Sequence, residues 1–422
     1  MGHFVTLILC LILSLFALGS SSGFYTEDPI YKTHGGVIGA SRRSISPRPF
    51  NVDDFGAKGD GIGDDTKAFK KAWEAACSSK AISPVIVVPK SKTYHLNPIT
   101  FSGPCNSNLV LAIFGTIQAS TERSNYAKDG KHWIKFENVQ NFRVKGGGII
   151  NGNGKIWWEN SCKVDERLPC TLAPTAMTFI GCKNLIVANL WFKNAQKMHV
   201  SFQDSENVQV LNLLVTAPGN SPNTDGIHVT NTQNIRIQNC DIRTGDDCIS
   251  IVSGSKNVEA TDITCGPGHG ISIGSLGANN SQANVTGVTV NRARLSGTTN
   301  GLRIKTWQGG SGYANNIIFQ NVVMNNVSNP IIVDQNYCDK KQPCQQKVSA
   351  VQVSNIVYSN IRGSSASAVA TNFDCSRQFP CKGIMLQDIN LVSEERGLES
   401  KASCVNVKFT RKGHVSPQCS KY

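Results

Sequence analysis

Four short polar motifs near the middle of the chain contain residues that can carry out acid–base chemistry. Asp225 is followed by Asp247 after 22 residues, and His269 follows after another 22. A repeated interval of this kind places side chains at equivalent positions in successive structural repeats, so we expect these three to form one column. The motifs are Asn223-Thr224-Asp225-Gly226, Gly245-Asp246-Asp247-Cys248, Gly268-His269-Gly270 and Arg303-Ile304-Lys305.

Grouped carboxyl groups and cations of this kind suit the cleavage of a glycosidic bond in an acidic polysaccharide. One carboxylic acid protonates the leaving oxygen, while a carboxylate activates water or attacks the sugar. Crowded aspartates cannot all ionise easily, so we expect one to keep its proton towards mildly acidic pH and to act as the acid. Arg303 and Lys305 lie two residues apart and face the same side of a strand, where they can pair with a sugar carboxylate.

Taken singly, each motif also has a purely structural interpretation. Asp-Gly is a common turn, Asp-Asp is a common solvated loop, and a histidine between glycines can occupy a turn. An Arg-x-Lys sequence on a strand usually faces solvent. The common register of the four motifs favours a functional site over four unrelated structural features.

The elements that must position these motifs repeat along the chain from about residue 136. Each repeat begins with an asparagine, and short runs follow in which Val, Ile or Leu alternates with other residues. Clear examples begin at Asn184, Asn207, Asn234 and Asn257, at intervals of 23, 27 and 23 residues. This period predicts an all-β parallel β-helix, although many short strands are also typical of a sandwich or a barrel.

A helix before the first repeats is expected to cover the N-terminal end of this β-helix. An exposed end would leave apolar core and strand edges uncovered. Asp65-Thr66 predicts an N-capped amphipathic helix with one apolar face. We interpret the acidic residues around its start as turn residues rather than catalytic groups. The face consists of Ala68, Phe69, Ala72, Trp73 and Ala76, and the acidic residues are Asp53, Asp54, Asp60 and Asp64.

The N-terminal residues predict export from the cell. Residues 1–23 contain an apolar run followed by small residues and no Asp, Glu, Lys or Arg, which is typical of a secretory signal peptide. We interpret residues 24–49 as a linker or pro-segment and residues 50–422 as a single catalytic domain. No membrane span is expected after removal of the signal. The net charge of +13 favours an acidic polysaccharide as partner, and no nucleic-acid-binding motif is visible.

The cysteines and glycosylation sequons agree with export. Cys10 lies in the signal segment, and the even number of the other cysteines favours disulfides. Close neighbours predict local pairs, whereas the paired C-x₂-C sets of zinc sites are missing from the sequence. The local pairs are Cys338 with Cys344, Cys375 with Cys381 and Cys404 with Cys419. The candidate glycosylation sites are Asn279, Asn284 and Asn326.

In order and spacing, the four motifs resemble those of the polygalacturonases, family 28 of the glycoside hydrolases. The resemblance spans about Phe50 to Cys419 and is closest to the plant enzymes. It implies a right-handed parallel β-helix and an inverting hydrolase without a metal or other cofactor. The implied substrate is de-esterified homogalacturonan, cut at α-1,4 bonds by endo action. The implied protein is a monomer secreted to the plant cell wall or apoplast.

The resemblance also implies roles for individual residues. Asp246 would be the general acid, and Asp225 and Asp247 would hold and activate the water. His269 would support protonation of the acid and bind sugar, and Asn223 would shape a subsite.

Three further contributions follow from the same resemblance. Arg303 and Lys305 would bind substrate carboxylates. Tyr337, in Asn336-Tyr337-Cys338, matches a sugar-contacting tyrosine. Cys248 and Cys265 match a pair that the family bridges beside its site.

Two other functions stay open from the residues alone. A calcium-dependent pectate lyase would use Asp246 and Asp247 as ligands, and a non-catalytic wall protein would only bind pectin. Adjacent strands about 4.8 Å apart also match the carboxyl separation of retaining enzymes better than that of inverting ones. Inversion is therefore implied by the resemblance, and the choice of endo or exo action depends on loops at the ends of the groove.

Overall fold

A computed structural model describes residues 49–339, 344–345, 347, 350–395 and 397–419. The expected signal peptide at 1–23 lies outside the described residues. The expected linker at 24–49 also lies outside them, apart from its last residue, Pro49.

The described chain is almost entirely β-structure, and every pairing between its strands is parallel. The strands are β1 (Phe50–Asn51), β2 (Asp60–Asp64), β3 (Val85–Val88), β4 (Thr93–Leu96), β5 (Ile99–Ser102), β6 (Val110–Ile113), β7 (Thr116–Ala119), β8 (His132–Glu137), β9 (Gln140–Lys145), β10 (Ile149–Asn151), β11 (Thr175–Ile180), β12 (Lys183–Ala188), β13 (Trp191–Lys193), β14 (Val200–Gln203), β15 (Glu206–Leu211), β16 (Leu214–Thr216), β17 (Ile227–Thr230), β18 (Gln233–Arg243), β19 (Ile249–Ile251), β20 (Lys256–Cys265), β21 (Ile271–Leu276), β22 (Gln282–Ser296), β23 (Asn300–Trp307), β24 (Ser311–Val327), β25 (Asn329–Tyr337), β26 (Ala350–Ser365), β27 (Val369–Asp374), β28 (Cys381–Ser393), β29 (Lys401–Val405) and β30 (Val407–Ser416). The helices are α1 (Thr66–Cys77) and α2 (Lys155–Trp158), with 3₁₀ turns at Val52–Phe55, Arg123–Tyr126 and Ala278–Asn280.

Successive coils stack in register, which confirms the predicted right-handed parallel β-helix. A sheet of 19 strands and a sheet of 11 strands run along its length. Leu185 pairs with Val208, Val208 with Ile235, and Ile235 with Val258. Each of these apolar residues directly follows one of the asparagines that mark the repeat, so the sequence interval is the length of one coil.

Asparagines at the bends bond to one another from coil to coil. Asn184, Asn207 and Asn234 all have φ values of 54–56°, in the left-handed region that asparagine tolerates better than most residues. The side-chain amide of Asn207 donates to the Oδ1 of Asn184 at 3.2 Å, and Asn234 donates to Asn207 at the same distance. The repeated asparagine therefore turns the backbone and also ties neighbouring coils together.

The interior of the β-helix is filled by apolar side chains that stack in the same register. Phe136, Phe179 and Phe202 lie on adjacent strands, and their rings are stacked with centroids 5.1 and 5.4 Å apart. All three side chains are fully buried. Burial of a phenylalanine contributes about 1.5–3 kcal/mol to the stability of the fold. This stack therefore helps to hold the coils that precede the four motifs in one register.

Helix α1 buries the predicted face, Ala68, Phe69, Ala72, Trp73 and Ala76, against the first coils. The prediction that the Asp65 side chain caps the helix is wrong, because that side chain bonds to other backbone groups. Asp65 occupies the N-cap position, but its carboxylate accepts from the backbone N–H groups of Lys58 and Gly59 instead of the helix. The preceding loop folds back over Asp65 and supplies donors that a sequence pattern does not reveal.

The described cysteines form six disulfides and two buried thiols. The three predicted local pairs, 338–344, 375–381 and 404–419, are all present. The even number of cysteines nevertheless suggested more disulfides than the structure contains, because Cys182 and Cys240 are free. Burial raises the pKa of each of these thiols to about 11, so both stay protonated inside the core.

The candidate glycosylation sites differ in their exposure. Asn279 and Asn326 are exposed, whereas Asn284 is half-buried and its Oδ1 is enclosed. The first two are therefore the better placed to carry a glycan. Among the described residues, no helix has both the length and the apolar character to cross a membrane.

Replacement of Asn207 tests the contribution of the asparagine bends. Asn207→Ala should lower the free energy of unfolding by about 1–3 kcal/mol, because it strains a left-handed residue and breaks the bonds to Asn184 and Asn234. Asn207→Gly loses the same bonds without the strain and should lose only about 1 kcal/mol. Urea unfolding measures both values, and equal losses would show that the backbone conformation contributes nothing.

Candidate active site

The outer face of the 11-stranded sheet carries a groove of ≈ 460 Å³. All eight predicted catalytic and substrate-binding residues line it, although they are spread over more than a hundred residues of sequence. They are Asn223, Asp225, Asp246, Asp247, His269, Arg303, Lys305 and Tyr337.

Strand register explains why the catalytic motifs meet. Asp225, Asp247 and His269 each stand two residues before a strand, namely β17, β19 and β21. The first residues of these strands, Ile227, Ile249 and Ile271, are direct partners. The three polar residues consequently lie in neighbouring coils at the same edge of the sheet, as the 22-residue interval predicts.

Tight backbone packing holds the loops in place before these strands. A side chain at Gly245 would put its Cβ 2.1 Å from the carbonyl oxygen of Ser221, so only glycine fits there. Gly270 has a φ of +83°, which glycine adopts without strain. The disulfide between Cys248 and Cys265, which the family resemblance implies, is present and fixes the backbone directly after Asp247.

Asp247 is buried and surrounded by donors. Arg303 Nη2 donates to its Oδ1 at 2.7 Å, and Lys305 Nζ donates to its Oδ2 at 3.1 Å. Ser272 Oγ donates to the same Oδ1 at 2.7 Å. A carboxylate that is 3% exposed would be costly to bury without such partners, and these two cations offset that cost. Arg303 and Lys305 are therefore already paired with Asp247 in the free protein, and binding substrate is not their only role.

Asp225 lies in a different electrostatic environment. Burial raises the pKa of this carboxyl group, and the neighbouring charges of Asp246 and Asp247 raise it further, while His228 opposes them. Ser250 Oγ donates to Asp225 Oδ2 at 2.6 Å and contacts His228 Nδ1 at 2.7 Å. Among the three aspartates, Asp225 is the one that crowding favours in its protonated form.

Asp246 shares a hydrogen bond with His269. The distance between Asp246 Oδ1 and His269 Nδ1 is 2.9 Å, and Asn223 Nδ2 lies 3.4 Å from the other oxygen. Burial by itself would raise the pKa of Asp246, but His269 and then Lys305 lower it to about 2. The bond to Asp246 raises the pKa of His269 in turn. The free protein therefore holds the proton of this pair on His269, whereas the sequence argument expected crowding to keep one on the acid.

A buried histidine supports the backbone of Asp225. His199 Nδ1 donates to the Asp225 carbonyl oxygen at 2.9 Å, and its Nε2 accepts from the N–H of Ala195 at 3.3 Å. Burial lowers the pKa of His199 to about 4, so the ring is neutral and both bonds persist at physiological pH. No sequence motif pointed to this residue.

Tyr337 completes the C-terminal side of the groove. Lys305 Nζ lies 5.4 Å from the centre of its ring, and Trp307 packs edge-on against it at 5.3 Å. Burial raises the pKa of the Tyr337 hydroxyl group to about 12, so it stays a hydrogen-bond donor. The ring offers an apolar face beside the cations, which suits contact with a sugar.

One group of potential metal ligands occurs among the described residues, formed by Asp246, Asp247 and His269. One donor atom from each lies within 4.8 Å of the other two. Calcium takes six to eight oxygen ligands, whereas this set offers two carboxylates and an imidazole. Arg303 and Lys305 already occupy both oxygens of Asp247 and would repel a cation. The donor set does not fit calcium.

The family model described as glycosyl hydrolases family 28 matches residues 77–419, well over half of the chain. The chain belongs to glycosyl hydrolase family 28. Polygalacturonase QRT2 of Arabidopsis thaliana is 60% identical over 376 residues, which cover 89% of this chain and 85% of the relative. Polygalacturonase-2 of Solanum lycopersicum is 59% identical over 371 residues, covering 88% and 80% respectively.

Solved structures support the fold of this family 28 chain. A hyperthermoactive exopolygalacturonase from Thermotoga maritima superposes with a TM-score of 0.73. The match covers 86% of this chain and 90% of that protein, at 21% sequence identity. At this low identity the comparison concerns the β-helix architecture and not the details of the groove.

The family 28 groove also contains polar residues that the sequence argument missed. His228 and Ser250 line the groove, and the buried Ser272 donates to Asp247. The three occur at the same 22-residue interval, three residues after Asp225, Asp247 and His269. His228 pairs with Ser250 across neighbouring strands, and Ser250 pairs with Ser272, so the 22-residue interval could have identified all three. Lys163, Lys197 and Asp339 also line the groove, but they come from loops outside the repeat and give no sequence signal.

The hydrogen bond between Asp246 and His269 predicts a measurable pKa. In the wild-type protein, NMR titration of the His269 ring should give a pKa above 6.5. Asp246→Asn should bring it below that value, because the attraction is lost while burial still disfavours the charged ring. Asp241→Asn, which removes a half-buried carboxylate bound to Arg243, should leave it unchanged. An unaltered His269 pKa in Asp246→Asn would rule out the shared proton.

Proposed function

We propose that this family 28 member is a secreted polygalacturonase that hydrolyses the α-1,4 bonds of de-esterified homogalacturonan. The observation that carries the proposal is the group of three aspartates, one histidine and two cations in a single groove. Relatives about 60% identical over most of the chain bear the name polygalacturonase. A substrate rich in carboxylates suits both the cations of the groove and the net charge of +13.

Asp246 acts as the general acid in this proposal. Its side chain is 16% exposed, against 11% for Asp225 and 3% for Asp247, so it is the most accessible of the three to a glycosidic oxygen. A galacturonate carboxylate that approaches Arg303 and Lys305 offsets the positive charge of Lys305. The pKa of Asp246 then rises, the proton passes to it from His269, and Asp246 delivers it to the leaving oxygen.

Asp247 acts as the base that activates water, and Asp225 holds that water in place. The water oxygen forms a bond to the anomeric carbon as the bond to the leaving oxygen breaks. One water proton passes to Asp247, whose two oxygens are bound by Arg303 and Lys305. Activity requires protonated His269, so it should be lost as the pH rises through the raised pKa of that residue.

The proposal includes inversion at the anomeric carbon. Both oxygens of Asp247 are bound by cationic groups and its side chain is 3% exposed, which leaves this carboxylate little access to the anomeric carbon as a nucleophile. Asp225 is favoured in its protonated form, which is also a poor nucleophile. Water is then the attacking group even though the carboxyl groups lie close together.

The proposal also covers the segments of the chain, the location of the protein and its mode of cleavage. We assign residues 1–23 to a cleaved signal peptide, 24–49 to a linker or pro-segment and 50–422 to one catalytic domain. The six disulfides agree with a protein that works outside the cell, in the plant wall or apoplast. We assign it endo action as a monomer on polysaccharide.

Incubation with de-esterified polygalacturonate and a calcium chelator tests the reaction class. The purified protein should release new reducing ends without the ultraviolet absorbance of unsaturated products. Absorbance that disappears with the chelator would indicate a lyase. If neither signal appears while the protein still binds polygalacturonate, the wall-binding alternative is supported. NMR of the first products should show the inverted anomer, and the retained anomer would exclude the proposed water attack.

Replacement of Asp246 tests the general acid. Asp246→Asn keeps the size of the side chain but removes the proton donor, so kcat should fall by about 10²–10⁴-fold. The matched control is Asp241→Asn, because Asp241 is a half-buried aspartate outside the groove. Equal activity of both variants would contradict the assignment, provided that their urea unfolding midpoints match that of the wild type.

A further inference from the structure

An ion pair crosses the groove and joins its two walls. Lys163 Nζ lies 2.9 Å from each carboxylate oxygen of Asp339, although the two residues are 176 positions apart in sequence. Both residues line the same cavity as the catalytic aspartates. Neither belongs to the repeat, and neither has a part in the catalytic steps described above.

Strand direction shows that the two residues come from opposite walls. Lys163 lies in a segment that enters β11, and so joins the 11-stranded sheet at its N-terminal edge, twelve residues later in the chain. Asp339 follows β25, at the C-terminal edge of the same sheet. All strands of this sheet are parallel, so the two edges are the two sides of the groove.

The pair also spans the length of the catalytic region. Strands β11 and β25 are six positions apart in the sheet, which corresponds to about 29 Å at about 4.8 Å per strand. The strands between them include β17, β19 and β21, which follow the three catalytic motifs. A contact between segments so far apart requires the Lys163 segment to extend diagonally across the face that holds the catalytic groups.

Disulfides fix both ends of this contact. Lys163 directly follows Cys162, which is bonded to Cys170, and Asp339 directly follows Cys338, which is bonded to Cys344. The Lys163 side is also tied down where Arg123 Nη2 donates to Thr171 Oγ1 at 2.9 Å. The charge of Asp339 is, after burial, the next cause of the raised pKa of Tyr337, which places it beside the sugar-contacting ring.

We propose that Lys163 and Asp339 form a clasp over the groove that retains the polygalacturonate chain between successive cuts. The proposal rests on the polygalacturonase function given above. The side chains of the pair are 44% and 54% exposed, and exposed ion pairs are weak, so the clasp opens readily enough to admit the interior of a polymer. Once it closes, the chain can slide but cannot leave sideways, and each encounter yields several cuts.

The two ends of the clasp allow a test that separates retention from simple charge attraction. Lys163→Gln removes a cation and should weaken the binding of a polyanion, whereas Asp339→Asn removes an anion and should strengthen it. Charge attraction alone therefore predicts opposite changes in the two variants. A clasp predicts the same change in both, because either substitution breaks the pair.

The measurement is the number of short oligomers released per internal cut on long polygalacturonate, from chromatography of products and loss of viscosity. Both variants should lower this ratio by roughly two- to five-fold, the scale that one exposed ion pair contributes. The reversed pair, Lys163→Asp with Asp339→Lys, should restore it. Lys183→Gln, which breaks an exposed pair with Glu206 outside the groove, is the control and should keep the wild-type ratio.

Each other outcome decides against the clasp or against the function on which it rests. Opposite shifts in Lys163→Gln and Asp339→Asn, or no shift in either, would overturn the clasp while leaving a working polygalacturonase. A wild-type protein that releases no reducing ends would overturn the proposed function instead. Urea unfolding midpoints of all variants separate these outcomes from a loss of folded protein.

Discussion

Parallel pairing between successive coils is the constraint on which the rest of this structure depends. Each coil must return to the same position about 4.8 Å further along, because parallel strands bond only in register. Inward residues such as Phe179 then stack on their counterparts, and asparagines such as Asn207 bond at the bends. The candidate catalytic residues inherit this order, so the stacking of coils makes Asp225, Asp247 and His269 neighbours.

The three aspartates of the groove are chemically identical, but they lie in different electrostatic environments. Asp247 is paired with two cations, Asp246 is paired with a histidine, and burial with like charges raises the pKa of Asp225. A site with three equivalent carboxylates could not separate the tasks of acid and base. The difference in environment comes from the partners that each coil supplies.

Sequence reasoning identified the members of the site more fully than their interactions. The sequence pattern places Arg303 and Lys305 on one face of a strand, and both line the groove. Their bonds to Asp247 were not anticipated, because a spacing gives a side but not a hydrogen-bond partner. The role of His199 is not predictable for a related reason. A single histidine in the sequence does not show whether its ring bonds to a backbone carbonyl group, as His199 does, or is simply buried.

The sequence alone establishes the repeat, the β-helix, the order of the candidate catalytic residues and the resemblance to family 28. These follow from intervals along the chain, and the register of stacked coils converts such intervals directly into distances. Only the tertiary structure decided that Asp65 bonds to a loop, that Cys182 and Cys240 stay unpaired and that Lys163 meets Asp339. The contacts of Asp65 and Lys163 depend on the paths of loops outside the repeat, where separation along the chain no longer fixes separation in space. Cys182 and Cys240 lie within the coils, and an even number of cysteines does not show which of them have a partner within reach.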